Sequence, residues 1–223
     1  MSSPTPQVLV RGEALLEVEP ELADIGVTVR VRARDRQTAL ERCRDAQQQV
    51  TAVATAAEDA VESVETTAVS VHLEVRDRRA PGEPVASVHT RLTVARLDAV
   101  GELVVALARL DDVEVSGPTW RLRPDSPAAE QARLDAVRDA VRRARQYAAA
   151  FGAELTALLE VSDAGVGGGL RVAAAMASMA RFEDSELHLD LTPPRLEVHG
   201  AVEVRFAMSE PDSAFWHTEV FRA

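Results

Sequence analysis

The stretch VLVRGEALLEVEPELADIGVTVRV, Val8 to Val31, decides the fold class. Val8, Val10, Gly12, Ala14, Leu16 and Val18 alternate with more polar residues. Ala23, Ile25, Val27, Val29 and Val31 do the same after Glu19 to Glu21. A period of two is the mark of a half-buried strand, so the stretch predicts an antiparallel β-hairpin. Asp35 then caps a helix whose inward stripe is Leu40, Cys43, Val50, Val53, Ala54 and Ala57. Val64 to Arg76 and Val85 to Val94 alternate again and predict a second hairpin, joined by DRRAPGEP, where two prolines and a glycine break regular structure. Asp98 starts a shorter helix with Val100, Leu103, Val104, Leu107 and Leu110 inward. Val113 to Arg123 follows as a strand that Pro118 marks as bulged or lying at an edge.

Ser126 before Pro127 is a helix start, because proline at the first helical position lacks only an N–H that has no partner there. The helix runs to about Phe151, with Gly152 for its C-terminal turn. Ala132, Ala136, Ala140, Ala144 and Ala148 recur at every fourth position, so this helix can approach a sheet closely. Leu155 to Val161 reads as a strand, and Glu186 to Leu191 with Arg195 to Met208 as a last hairpin. Between them, residues 163–184 form a Gly, Ala and Met-rich loop with room for a short helix. The order ββα-ββα-β-α-βββ lacks a repeating βαβ crossover. It predicts an α+β fold of antiparallel sheets packed with helices, one domain over 7–208 with a tail at 209–223.

The chain has 223 residues, 46% of them apolar and only 4% aromatic, so Val, Leu and Ala must fill its core. A net charge of −11 opposes affinity for nucleic acid. Every basic side chain except His is Arg, and the absence of Lys excludes Schiff-base chemistry and a phosphate-binding P-loop lysine. Cys43 is the single cysteine, which rules out an intrachain disulfide, and its place on a helix stripe predicts a buried, inert thiol. MSSPTPQ has no basic and apolar signal pattern, and Leu170 to Ala180 is too short to span a bilayer. A cytoplasmic protein without membrane insertion is expected.

Three segments together resemble the SIMPL domain family, which includes bacterial periplasmic and outer-membrane immunogenic proteins. VRGEALLEVEPELADIGVTV is similar to its opening pattern, VSGPTWRL (Val115 to Leu122) to its central strand, and EQARLDAVRDAVRRARQYAAAFGAEL (Glu130 to Leu155) to its Ala-rich helix. The resemblance covers roughly residues 7 to 208. It implies an α+β domain with no established catalytic residues or cofactor, and a tendency in some bacterial members toward homo-oligomers. The missing export signal and the residues from Glu210 onward depart from the pattern.

Few residues offer chemistry. GVGGGLR, Gly165 to Arg171, lacks the following Lys and Ser or Thr of a phosphate loop. If Arg76 pairs with Val85, His72 faces His89 across the second hairpin. If the last hairpin turns at Thr192 to Arg195, His188 faces His199. Such opposed imidazoles, with a nearby carboxylate, are a candidate metal site. No HExxH, GxSxG, CxxC or EF-hand pattern occurs, and nothing in the sequence points to an enzyme. Phe215, Trp216 and Phe221 in the tail, with Met176 and Met179 in the loop, are candidate interface residues, because aromatics outside a core anchor contacts between chains. The expected function is therefore self-association or protein binding without catalysis or cofactor, the alternative being a small-ligand or metal-binding module built on the histidines or the Gly-rich loop.

Overall fold

A computed structural model of the chain describes residues 5–75, 82–163 and 189–212. Eleven strands and helices among these residues divide into two compact units. Of the described residues, the first draws on 5–18, 124–163 and 195–212, and the second on 19–75, 82–123 and 189–194. The α+β fold class stands, with two antiparallel sheets and three helices. No helix among the described residues is long and apolar enough to cross a membrane.

The first unit is a three-stranded sheet under one helix. Strands β1 (Gln7–Val18), β6 (Leu155–Asp163) and β7 (Leu196–Met208) lie in the order β1-β7-β6. β1 and β7 pair along their whole length, from Gln7 opposite Ala207 to Val18 opposite Leu196. Helix α3 (Pro127–Ala150) begins as expected, with Ser126 Oγ accepting from the Ala128 N–H and Pro127 in the first turn. It ends at Gly152, whose φ of +65° suits a glycine. The alanine ladder Ala132, Ala136, Ala140, Ala144 and Ala148 is its buried face. That face rests on backbone: a Cβ on Gly12 would overlap the Ala136 carbonyl oxygen and stand 2.6 Å from the Ala140 nitrogen. A Cβ on Gly200 would overlap the Ala132 carbonyl and lie 2.9 Å from the Arg133 nitrogen. Val10, Val202, Val204 and Phe206 complete the core.

The second unit holds β2 (Leu22–Arg32), α1 (Arg36–Ala56), β3 (Val61–Glu74), β4 (Glu83–Val94), α2 (Val100–Ala108, after a short 3-10 turn) and β5 (Val113–Arg121). The sheet order is β3-β4-β2-β5. Ile25, Val27, Val29 and Val31 on β2, with Leu92 and Val94 on β4, form its core. Asp35 caps α1 as expected, accepting from the Thr38 N–H at 2.9 Å. The buried stripe of α1 is Ala39, Cys43, Ala46, Val50 and Ala54, so Leu40, expected inward, is half exposed. Pro118 falls on the edge strand β5, where the register with β2 shifts beside Gly117.

The first expected hairpin does not form, and neither does the last over its described residues. Val8 to Val18 and Ala23 to Val31 are both strands, but β1 pairs with β7 while β2 is interior, flanked by β4 and β5. The connection explains it: Pro20 fixes a negative φ, and Glu19 to Glu21 supply none of the positive-φ residues that a two-residue hairpin turn needs. Glu21 is instead held by β5, its N–H donating to the Arg121 carbonyl at 3.0 Å and its carboxylate accepting from the Arg123 N–H at 2.7 Å. In the last expected hairpin, Leu189 to Leu191 lie outside any strand, and β7 takes β1 and β6 as neighbours. The Leu189 carbonyl packs directly on Gly101 of α2.

Substituting Gly12 or Gly200 by Ala should lift α3 from the sheet and cost about 1–3 kcal/mol or more in urea unfolding, the range of overpacked cores. A second prediction concerns Asp139 on α3, which ties the helix to β1. Its carboxylate pairs with Arg142 and accepts the Glu13 N–H at 3.2 Å, and Arg143 donates to the Arg11 carbonyl at 2.9 Å. The Arg142 hydrogen bond first, then the Glu13 N–H, hold the Asp139 carboxyl below its ordinary value. A lowered folded pKa contributes stability above the ordinary carboxylate range and loses it as pH falls through the folded pKa. Asp139→Asn should therefore be less stable than the parent at neutral pH, with the gap closing in acid, as read by thermal melts across pH.

Candidate association surface

The feature that stands out in the second unit is β3, a 14-residue strand at the edge of its sheet. Val64, Val69, Val71 and Leu73 lie opposite Leu92, Val88, Ala86 and Pro84 of β4. They share the face that β2 and β4 turn toward α1. The helix packs mainly on those two strands and touches β3 less. Val69 is 65% and Leu73 56% exposed, next to Leu40 at 48%. Between α1 and β3 runs a groove of about 250 Å³, lined by Leu40, Cys43, Val69, Val71, Ala86 and Val88 among others.

The first half of β3 differs from the second. Extra residues at Glu62 and Thr67 make bulges, and Glu62 and Glu65 carry charge. Bulges and charges blunt a sheet edge against pairing. From Ala68 to Val71 the edge is regular and uncharged, and the first carboxylate is Glu74. Glu74 turns inward to its own sheet, paired with Arg32 and, at 3.2 Å, with Arg30.

The opposite face of this sheet is polar and internally matched. Asp24 accepts from Arg121 at 2.8 Å and from Thr93 at 2.9 Å, and the Ser70 and Ser87 hydroxyls lie 2.9 Å apart. His89 is here, its Nδ1 3.0 Å from the Thr28 hydroxyl. His72 is not its neighbour. The register sets His72 opposite Val85 and His89 opposite Ala68, about 13 Å apart along the strands. That register is unshifted from Ala68 opposite His89 to Glu74 opposite Glu83, and the sequence of the connecting turn does not encode it. His199 lies opposite Leu15 of β1, with Glu197 at 3.7 Å. No group of three or more metal-ligating side chains exists among the described residues.

His188, the Gly165 to Arg171 loop, Met176, Met179, Phe215, Trp216 and Phe221 lie outside the described residues. The sequence reading placed β3 in a hairpin and did not single out its apolar face as a surface. The alternation of Val69, Val71 and Leu73 was legible. The placement of α1 over β2 and β4 was not.

Cys43 forms part of the groove floor at 3% exposure, and burial, with the Asp112 charge behind it, pushes its thiol pKa up. A buried, protonated thiol is a poor nucleophile. Native protein should react with a thiol-disulfide reagent far more slowly than urea-unfolded protein. Equal rates would mean that the groove opens to its floor.

The first unit has a comparable groove. Helix α3 covers β1 and β7 but hardly touches β6. A space of about 520 Å³ remains, lined by Val141, Arg145, Ala148, Leu155, Leu158 and Phe206 among others.

No curated protein matches the sequence. The family model described as SIMPL, protein of unknown function (DUF541), matches residues 8–206, from the first strand to the last. The chain belongs to the SIMPL family.

Proposed function

We propose that this protein acts without catalysis, by self-association through the regular half of the β3 edge. The observation that carries the reading is the self-complementarity of Ala68 to Glu74. In an antiparallel pairing of two copies about Val71, Val69 meets Leu73, Val71 meets Val71, Ser70 meets His72 and Ala68 meets Glu74. Each pair joins residues of the same sheet face, and no like charges oppose one another. The contact is isologous, so it closes on a dimer and does not propagate.

The apolar side of the pairing would extend each α1 groove into a continuous strip, taking Val69 and Leu73 out of water. Strand addition supplies main-chain hydrogen bonds at an edge that already has the right spacing. A seven-residue edge is a small interface, at the low end of the range for specific complexes. The association is accordingly concentration-dependent, and the net charge of −11 makes it stronger at higher salt.

Light scattering behind a sizing column should give a mass rising toward twice the 24.1 kDa chain as protein concentration increases. Val69→Glu with Leu73→Glu should hold the mass at one chain while leaving circular dichroism and melting unchanged, because both side chains are exposed. A wild type that stays at one chain up to about millimolar concentration, where even weak specific contacts are populated, overturns the proposal. So does a dimer that the double substitution leaves intact.

A further inference from the structure

In the first unit, the α3–β6 groove is an apolar face whose own helix stops short of it. Leu158 pairs opposite Phe206 and Val161 opposite Val204, so both belong to the face that α3 covers farther along the sheet. Yet Leu158 is 59% and Val161 56% exposed. Phe206 lies at the bottom, and Val141, Ala148 and Leu155 form the walls.

The path of the chain leads to this opening. After β7, the Ser209 N–H donates to the Glu154 carbonyl at 2.9 Å, and the Glu154 N–H donates to Ser209 Oγ at 3.0 Å. Asp212 then packs on Gly152, its Cβ 2.9 Å from where a Cβ on that glycine would stand. Gly152 adjoins Ala153, Glu154 and Leu155, the end of the groove lining. The next residues, 213–223, read SAFWHTEVFRA and hold Phe215, Trp216 and Phe221, three of the eight aromatics in the chain (five Phe, two Trp, one Tyr). Phe215 is three residues from Asp212 and Phe221 nine, a reach of about 10 to 30 Å, against roughly 30 Å for the nine residues of β6.

We propose that the α3–β6 groove is the docking site for the aromatic side chains of residues 213–223 of the same chain. The apolar side chains of that stretch match Val141, Leu155, Leu158 and Phe206 in kind, beside a polar part of the lining at Arg145, Glu154 and Thr156, and aromatic rings supply most burial per residue where a groove is open. A tether of a few residues sets an effective local concentration near millimolar, so the chain's own segment outcompetes that of a second copy at ordinary protein concentration. The inference is independent of β3 pairing, which belongs to the other unit.

The full chain has two tryptophans, Trp120 and Trp216, so Trp120→Phe makes Trp216 the only indole. The expected result is a blue-shifted Trp216 emission, quenched by iodide several-fold less than in the urea-unfolded chain and independent of protein concentration. Leu158→Asp with Val161→Asp should shift the emission to the red and restore quenching, with helical circular dichroism unchanged. If Trp120→Phe impairs folding, the same comparison is made as the difference between the full chain and a chain ending at Asp212. A solvent-like Trp216 in the folded chain overturns the proposal. So does protection that grows with concentration, which would mark a second copy as the host, or protection that survives both substitutions at the groove.

Discussion

The first unit depends on the contact of backbone with backbone between α3 and the β1–β7 pair. Gly12 and Gly200 lack the Cβ that would hold the helix away, and the alanine ladder puts nothing bulkier than a methyl group into the gap. Dispersion falls steeply with separation, so an approach this close recovers contacts that a core with few aromatics cannot obtain from large rings. The cost is reach. A helix seated by methyl groups covers two strands and leaves the third, and Leu158 and Val161 of β6 remain in water.

The second unit repeats the arrangement with different residues. The buried stripe of α1 is again mostly small, with Ala39, Cys43, Ala46 and Ala54 around Val50, and the helix lies over β2 and β4. The strand left outside is β3, whose first half is guarded by bulges and glutamates and whose second half is regular. Both grooves lie where a helix with a small-residue face makes least contact with one strand of its sheet. The chemistry elsewhere is matched within itself. Asp24 with Arg121 and Thr93, and Glu74 with Arg30 and Arg32, are local ion pairs and hydrogen bonds.

Local signals in the sequence located nearly every element. The Asp35 and Ser126 caps, the glycine at 152, the alanine ladder and the alternation of β1, β2, β3, β4 and β7 all appear where the residues indicated. The β3–β4 hairpin was legible and forms, but pairing between strands far apart in the chain was not, because it is decided by contacts between distant residues. Val10 finds Val204, and nothing near Val10 names that partner. The Glu19 to Glu21 connection was read as a reversal, although Pro20 and the absence of a glycine argued against one. The His72–His89 pairing failed for a related reason: the strands close with Glu74 opposite Glu83, a register that alternation alone does not reveal. The docking surfaces were invisible because exposure depends on where a helix lies across a sheet, and its own sequence fixes only which side it buries.

The proposed self-association makes β3, the strand that α1 covers least among the three it touches, the surface where two copies meet. Hydrogen–deuterium exchange measured residue by residue, in dilute and in concentrated protein, tests it most directly. The account predicts that alternate amides between Ala68 and Glu74 exchange fast in dilute solution and slow as concentration rises, while the core amides of β2 stay constant. Exchange in that stretch that ignores concentration, or protection that arises on a different strand, would contradict it.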